Sequence, residues 1–335
     1  MLSGLRLEVH GDELCVTGTD LELSIRLTVK VGGERDGAVV VPARLVAEIV
    51  RSLPMGAVEV DQSGEELHIS AGRSNFSIRP LSLDDYPVQT EPSTEAVTLP
   101  SAAVAEALRQ VVRAASTDDA RAVLTGVLIA AEDDNVRMVA TDSYRLAVRE
   151  LPENDMLTGG QKVLVPSRAL NELQRVLATG DDLRVRLGAR DAVFETGTTR
   201  LTTRLIEGEY PNYRNLLPSS YPNVLTVGRE ALLEALRRVK LLAQDATPVR
   251  LALGGDTLQL TAITQDVGNA SEEIDATYEG TEMTVAFNPD YLAAGIDAVD
   301  TEEVTLSTLD PMKPAVIRAV GRDDYLYLLM PVRVP

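Results

Sequence analysis

The chain has 335 residues, enough for two or three domains of ordinary size, and its 44% hydrophobic content can fill their cores. Aromatic residues make up 4% with no Trp, so the interior has to be built from Leu, Val, Ala and Ile. Fifty-one acidic against 32 basic residues leave a net charge of −19, which excludes coating of nucleic acid through bulk charge and makes the distribution of the arginines the quantity to follow.

Along the chain, LRLEV (5–9), LCVTG (14–18) and LSIRLTV (23–29) alternate as half-buried antiparallel strands do, separated by turns such as HGDE (10–13). A helix is expected at 42–53, where VVVPARLVAEIVRSL (39–53) changes from a period of two to one of three to four. A second helix is expected at 101–114, with Val104, Ala107, Leu108, Val111 and Val112 on one face and Arg109 and Arg113 on the other. Then the beginning returns. LTGVLIAAEDDNVRMVATDSYRLAVRE (124–150) copies residues 2–27, Gly4 matching Gly126 and Thr19-Asp20 matching Thr141-Asp142 at an offset of 122. VLVPSRALNELQRVL (163–177) repeats 39–53 and places a helix at 167–178; GEYP (208–211) repeats DDYP (84–87). A third, weaker copy runs through 249–275 and VAFNPDYLAAGIDAV (285–299), with helices at 229–243 and 289–299. Three domains follow, at 1–93, 94–219 and 220–335, joined by Pro- and Ser-bearing linkers near 91–97 and 218–222. The fold class is α+β, with helices segregated to one side of antiparallel sheets.

Charge is divided by element type. The five helices together carry +3 and the remainder of the chain −22. Arg44 and Arg51 lie seven apart on one helix face, and an offset of 124 lands them on Arg168 and Arg175. Such arginines serve either as solvated faces with partners such as Glu48, or, if the helices converge, as a weakly basic strip beside phosphates that permits sliding.

Candidate chemistry is sparse. His10 and His68 fall in strand and turn contexts with no metal-ligand spacing, and neither a phosphate-cradling GxxxxGK[ST] loop nor a GxGxxG opening a helix occurs. Cys15, the single cysteine, lies in an alternating strand, reads as packed, and suits a reducing compartment. The acidic pairs at 84–85, 118–119, 133–134, 181–182 and 323–324 sit between strands, where Asp serves turn geometry; the rival reading, metal-dependent catalysis, uses clustered carboxylates. Neither a catalytic residue, a metal nor a cofactor is assigned. A leader-like start and an apolar run of bilayer length are both lacking, so the expected location is the cytoplasm, with no membrane partner.

The repeats together with GTDLE (18–22), VPAR (41–44), GRSNFS (72–77), VATDSYRLAV (139–148), EYPNYRNLLP (209–218), AFNPDY (286–291) and YLYLLMPVRV (325–334) resemble the bacterial sliding clamp, the beta subunit of DNA polymerase III, over essentially the whole chain. The resemblance implies three DNA-clamp domains per chain and a head-to-tail homodimeric ring with sheets outside and helices lining a central channel. Its function would be that of a processivity factor, not an enzyme. Partners would be double-stranded DNA, held topologically and without sequence preference, a second copy of the chain, and peptides of the polymerase III alpha subunit, the clamp loader, other polymerases and repair proteins. Carried over by residue, the peptide pocket between the second and third domains takes in Leu124, Thr141, Ser143, Tyr144, Arg145, Leu146, Pro211, Leu216, Asn288, Tyr291, Met312, Leu328, Met330, Pro331, Val332 and Arg333. Some family members have Gly-His at the place of Ser143-Tyr144. DNA-facing residues would be Arg44, Arg51, Arg109, Arg113, Arg168, Arg175 and Arg237, and the dimer contact Phe76 and Ile78 against Leu241 and Leu242.

One departure is expected. The second unit has about 26 residues before Gly126 that find no counterpart before Gly4, the equivalent of a strand and a helix. Leu2 joins the pattern in mid-motif, which favours a start upstream of Met1 over a cut chain or a diverged copy. A sheet edge and an apolar face of the first domain would then stand open. If the ring could not close, the chain would instead be a clamp paralogue acting as a peptide-binding or decoy module.

Overall fold

The computed structural model describes residues 3–87, 94–132, 135–151, 156–157, 160–177, 182–217, 220–243 and 247–333. The first repeat consists of β1 (Gly4–His10), β2 (Glu13–Thr19), β3 (Leu23–Lys30), β4 (Gly37–Pro42), helix α1 (Ala43–Ser52), β5 (Glu59–Ser63), β6 (Glu66–Ala71) and β7 (Ser74–Ile78). The second opens with an additional strand and helix, β8 (Val97–Leu99) and α2 (Ser101–Val111). It continues as β9 (Gly126–Glu132), β10 (Asn135–Thr141), β11 (Arg145–Leu151), β12 (Lys162–Pro166), α3 (Ser167–Leu177), β13 (Leu183–Leu187), β14 (Asp191–Thr196) and β15 (Thr199–Arg204). The third has the second's plan: β16 (Asn223–Gly228), α4 (Arg229–Val239), β17 (Val249–Gly254), β18 (Thr257–Thr264), β19 (Gly268–Glu279), β20 (Met283–Phe287), α5 (Pro289–Asp297), β21 (Glu303–Thr308), β22 (Ala315–Ala319) and β23 (Tyr325–Leu329).

The local causes are those of the sequence. In α4 the buried residues are Leu232, Ala235, Leu236 and Val239, a stripe at helical spacing. Asn288 caps α5, its Oδ1 accepting from Asp290 N and Tyr291 N, with Pro289 in the first turn where its missing N–H costs nothing. Expected helices at 101–114 and 229–243 end instead in 3-10 turns, Val112–Ala114 and Lys240–Leu242. Residue 178, the expected end of α3, and the acidic residues 133, 134 and 181 lie outside the described residues, as do parts of both linkers.

All strand pairings are antiparallel, in sheets ordered β4-β1-β2-β3-β15-β14-β13-β8, β12-β9-β10-β11-β23-β22-β21-β16-β19-β18-β17-β20 and β5-β6-β7. Consecutive repeats are stitched by one rule: β3 or its equivalent in one repeat pairs with the last strand of the next, β3 with β15 and β11 with β23. By compactness the chain therefore divides across the repeats, into residues 1–101 with 175–205, and 102–174 with 206–335. The first unit has a core of Val41, Val46, Ile49, Leu67, Ile69 and Ile78. The second has one around Leu128, Val139, Leu146, Leu164, Tyr213, Val316 and Leu328. Among the described residues no helix is long and apolar enough to cross a membrane.

Candidate functional site

The Thr-Asp motif of the repeats is a turn device. Asp142 follows β10, and its Oδ1 accepts from the backbone N–H groups of Tyr144 (2.9 Å) and Arg145 (3.0 Å), while Thr141 Oγ1 accepts from Ser143 N. That geometry puts Ser143 at φ 81°, a left-handed conformation that costs a residue with a side chain about 1–3 kcal/mol. The earlier copy does the same: Asp20 Oδ1 accepts from Glu22 N and Leu23 N, Thr19 Oγ1 from Leu21 N, and Leu21 has φ 80°. In the second repeat alone the turn is built into something larger. Arg145 Nε donates to Asp142 Oδ2 at 2.9 Å, and its guanidinium stacks 4.2 Å above the ring of Tyr291 at the start of α5. Burial works against the charge of Arg145, but the Tyr327 hydroxyl and Asp142 outweigh it and hold the group more firmly protonated. Tyr327 itself, buried with its hydroxyl donating to Tyr291 O, is pushed up to about 12.

The C-terminal stretch closes over this wall. Met330 N donates to Tyr144 O (2.8 Å) and Val332 N to Ala286 O (2.7 Å), and β11 and β23 set Leu146 opposite Leu328. Leu124, Thr141, Leu146 and Leu328 are buried, whereas Tyr144 (60% exposed), Leu216, Met312, Met330, Pro211, Ser143 and Arg333 are exposed and Pro331 and Val332 half-buried. The 3-10 turn Tyr213–Leu216 is pinned from beneath: Tyr213 Oη and Arg214 Nη2 both donate to Glu132 Oε2. Burial would raise the Glu132 carboxyl, but hydrogen bonds from Arg214, Tyr213 and Arg137 outweigh it and hold the group below its ordinary range. Tyr210 and Leu217 pack on the core that contains Leu146 and Leu328. Of the residues expected for the pocket, the structure joins Arg145 to Tyr291, Tyr144 to Met330 and Leu146 to Leu328, and it sets Met312 on the turn between β21 and β22. Sequence reasoning passed over Asp142, Arg121 and Glu132. Only the repeated Thr-Asp signalled the first, since the bonds of Arg121 to Asp142 O and Ser143 Oγ are tertiary.

The basic helix faces divide. Arg44, Arg51, Arg168, Arg175 and Arg237 are exposed; Arg44 is paired with Glu48, and Arg51 and Arg237 make no ion pair among the described residues. Arg109 and Arg113 are engaged within the chain. Arg109 donates to Asp297 O and Ala298 O, and Arg113 to Asp297 Oδ2 and Ala294 O, so both half-buried guanidinium groups serve the carbonyl-rich end of α5. Periodicity located their helix face correctly but not the helix end packed against it. Of the expected dimer residues, Leu241 is 81% exposed and Leu242 half-buried, while Ile78 (8%) belongs to the core and Phe76 packs on it.

Of the acidic pairs, Asp118 acts in its own turn, its Oδ1 accepting from Ala120 N, whereas Asp324 meets both the neighbouring Arg322 and the sequence-distant Arg149. Among the described residues no group of three His, Cys, Asp or Glu is placed to hold a metal. Cys15 is buried.

Comparison with known proteins agrees with this geometry. The N-terminal, central and C-terminal domains of the DNA polymerase III beta subunit match residues 1–90, 98–212 and 214–333. The Beta sliding clamp of Streptomyces coelicolor is 36% identical over 100% of this chain and 92% of its own length, and that of Staphylococcus aureus 30% identical over 99% and 92%. The DNA polymerase sliding clamp of Bacillus subtilis superposes with a TM-score of 0.92 at 27% identity, covering 100% of this chain and 92% of that one. A Pseudomonas aeruginosa sliding clamp bound to griselimycin gives 0.92 at 28% over 99% and 92%. With three domain models matched in order along the chain and a relative 36% identical over its whole length, the chain belongs to the beta sliding clamp family.

Proposed function

We propose that the chain, a processivity clamp by family, closes as a head-to-tail homodimer around duplex DNA and tethers polymerase III alpha, the clamp loader and repair proteins through the groove at Tyr144 and Met330. The observation that carries the ring is the stitching rule. β3 takes β15 and β11 takes β23, and continuing the series pairs β19 with the last strand of another first repeat, β7. Both are available. β7 is a sheet edge, and residues 268–275 of β19 have a strand on one side only among the described residues. Their charges are complementary, Arg73 and Arg79 beside β7 against Glu273 and Asp275 on β19, and the exposed Leu241 lies on the third repeat. Different patches on the two partners make a heterologous contact, which closes when the rotation permits.

Domain boundaries at 93/94 and 219/220 fit this scheme, and a cytoplasmic location suits a protein of replication. In a closed ring Arg44, Arg51, Arg168, Arg175 and Arg237 would face the duplex. Retention would be topological, so a chain of net charge −19 needs no tight bond to a polyanion. The test is loading onto nicked circular plasmid by a clamp loader. The protein should stay on the circle and leave when the DNA is linearised, and charge reversal at Arg44, Arg51, Arg168 and Arg175 should impair loading while the fold persists. A chain that still binds groove ligands but is never retained on the circle would be the peptide-binding module without ring closure.

A further inference from the structure

The left-handed turn in the groove wall has an internal support that faces no partner. We propose that Asp142 is a positioning residue for ligand binding, holding Ser143 in its left-handed conformation so that Tyr144 and Arg145 are presented to the groove, with Arg121 bracing the turn from its other side. This rests on the groove reading above.

Three observations carry it. Asp142 is 7% exposed, and its carboxylate accepts from Tyr144 N, Arg145 N and Arg145 Nε, so these three bonds hold the turn itself. Both groove-forming arms hang on that turn. Arg145 reaches across to the Tyr291 ring, and the Tyr144 carbonyl receives Met330 N, one of the two backbone bonds that seat residues 330–333. Arg121 donates to Asp142 O and Ser143 Oγ, and to Asp118 and Ser116, tying the turn to the segment before β9. The first repeat supplies a control within the same molecule. Asp20 makes the corresponding backbone bonds and Leu21 the corresponding left-handed step, but Leu23 stands where Arg145 does, so the turn exists there without a groove arm.

The experiment measures calorimetric binding of griselimycin, the compound bound by the Pseudomonas aeruginosa relative, to the full chain, with thermal unfolding of each variant as the check on folding. Asp142→Asn should weaken binding about tenfold, because one charged acceptor of three donors is lost. Adding Ser143→Gly should restore most of that affinity, since glycine takes a positive φ without needing to be held there. Asp20→Asn should leave binding at the level of the unsubstituted chain. Full-strength binding by Asp142→Asn, equal loss in Asp20→Asn, or a double variant no better than Asp142→Asn would each overturn the positioning role. Failure of the unsubstituted chain to bind griselimycin, or binding undiminished after removal of residues 330–335, would overturn the groove reading itself and this role with it.

Discussion

The second sheets of the first and third repeats have the same strand order and opposite surfaces. In β21 Val304, Leu306 and Thr308 are buried, because β16 lies alongside in register, Val227 opposite Val304 and Leu225 opposite Leu306, and α4 follows it. In β5 all five residues are exposed, Val60 at 52%, and Leu45, Val50, Met55 and Val58 around it are exposed too. β13 of the second repeat, covered by β8, has Leu183 and Val185 buried and so agrees with the third. The comparison teaches that these sheets are dried by the strand and helix that lead into each repeat, more than by their own alternation. β5 has no such strand beside it among the described residues.

Paired truncations test this directly. Leu306→Ala should cost about 3 kcal/mol in urea unfolding, the transfer loss plus an unrelaxed cavity. Val60→Ala, on a wet edge, should cost less than about 0.5 kcal/mol. Similar values at the two sites would mean that β5 is covered in solution and would break the comparison. Next in size is the fastening of the covering strand itself. Asn223, buried at the start of β16, donates from Nδ2 to Thr308 O and Leu309 O and accepts from Thr281 N. Asn223→Ala leaves those buried groups unpaired and should cost about 2 kcal/mol, read as a lower urea midpoint together with faster amide exchange in β16 and β21.

A smaller effect distinguishes the first and second repeats. Glu132 and His10 occupy equivalent positions, but Glu132 gathers Arg137, Tyr213 and Arg214, whereas His10 is exposed and, among the described residues, its side chain meets Asp36 alone. A carboxyl held below its ordinary value gives stability that is complete above the unfolded-state pKa of 4.5 and is lost as the pH falls through the lower folded value. Glu132→Gln should therefore cost about 1 kcal/mol at pH 7, with the gap to the unsubstituted chain closing as the pH is lowered beneath 4.5. A gap independent of pH would assign the loss to packing around Tyr213.

Much of this was legible in the sequence because the repeats put each claim to a second test. Helix α1 follows from Val46 and Ile49 at helical spacing, and α3 from the same pattern 124 residues later. What periodicity could not supply was the identity of the neighbour. It put Arg109 and Arg113 on the polar face of α2 without knowing that the carbonyl end of α5 lies there. Nor does it speak to Ile78, which the resemblance sets at the dimer contact and whose side chain is in the core of its own domain. Asp142 went unassigned because Asp in a turn is ordinary. Its significance comes from Arg145 and Met330, brought to the turn by strands and a tail far apart in sequence.

The smallest expected effect tests the open edge most sharply. Val60 sits on an outer strand whose neighbours Glu59 and Asp61 are already charged, so Val60→Lys adds a third charge to a solvated row and should shift the urea midpoint by less than about 0.5 kcal/mol. Lysine on an exposed edge also discourages strand-to-strand association, so the variant should remain monodisperse at higher concentration than the unsubstituted chain. A midpoint lowered by about 2 kcal/mol or more would mean that a buried apolar contact had been broken. β5 would then be a covered strand like β13 and β21, and its wetness would not be a property of the folded protein in solution.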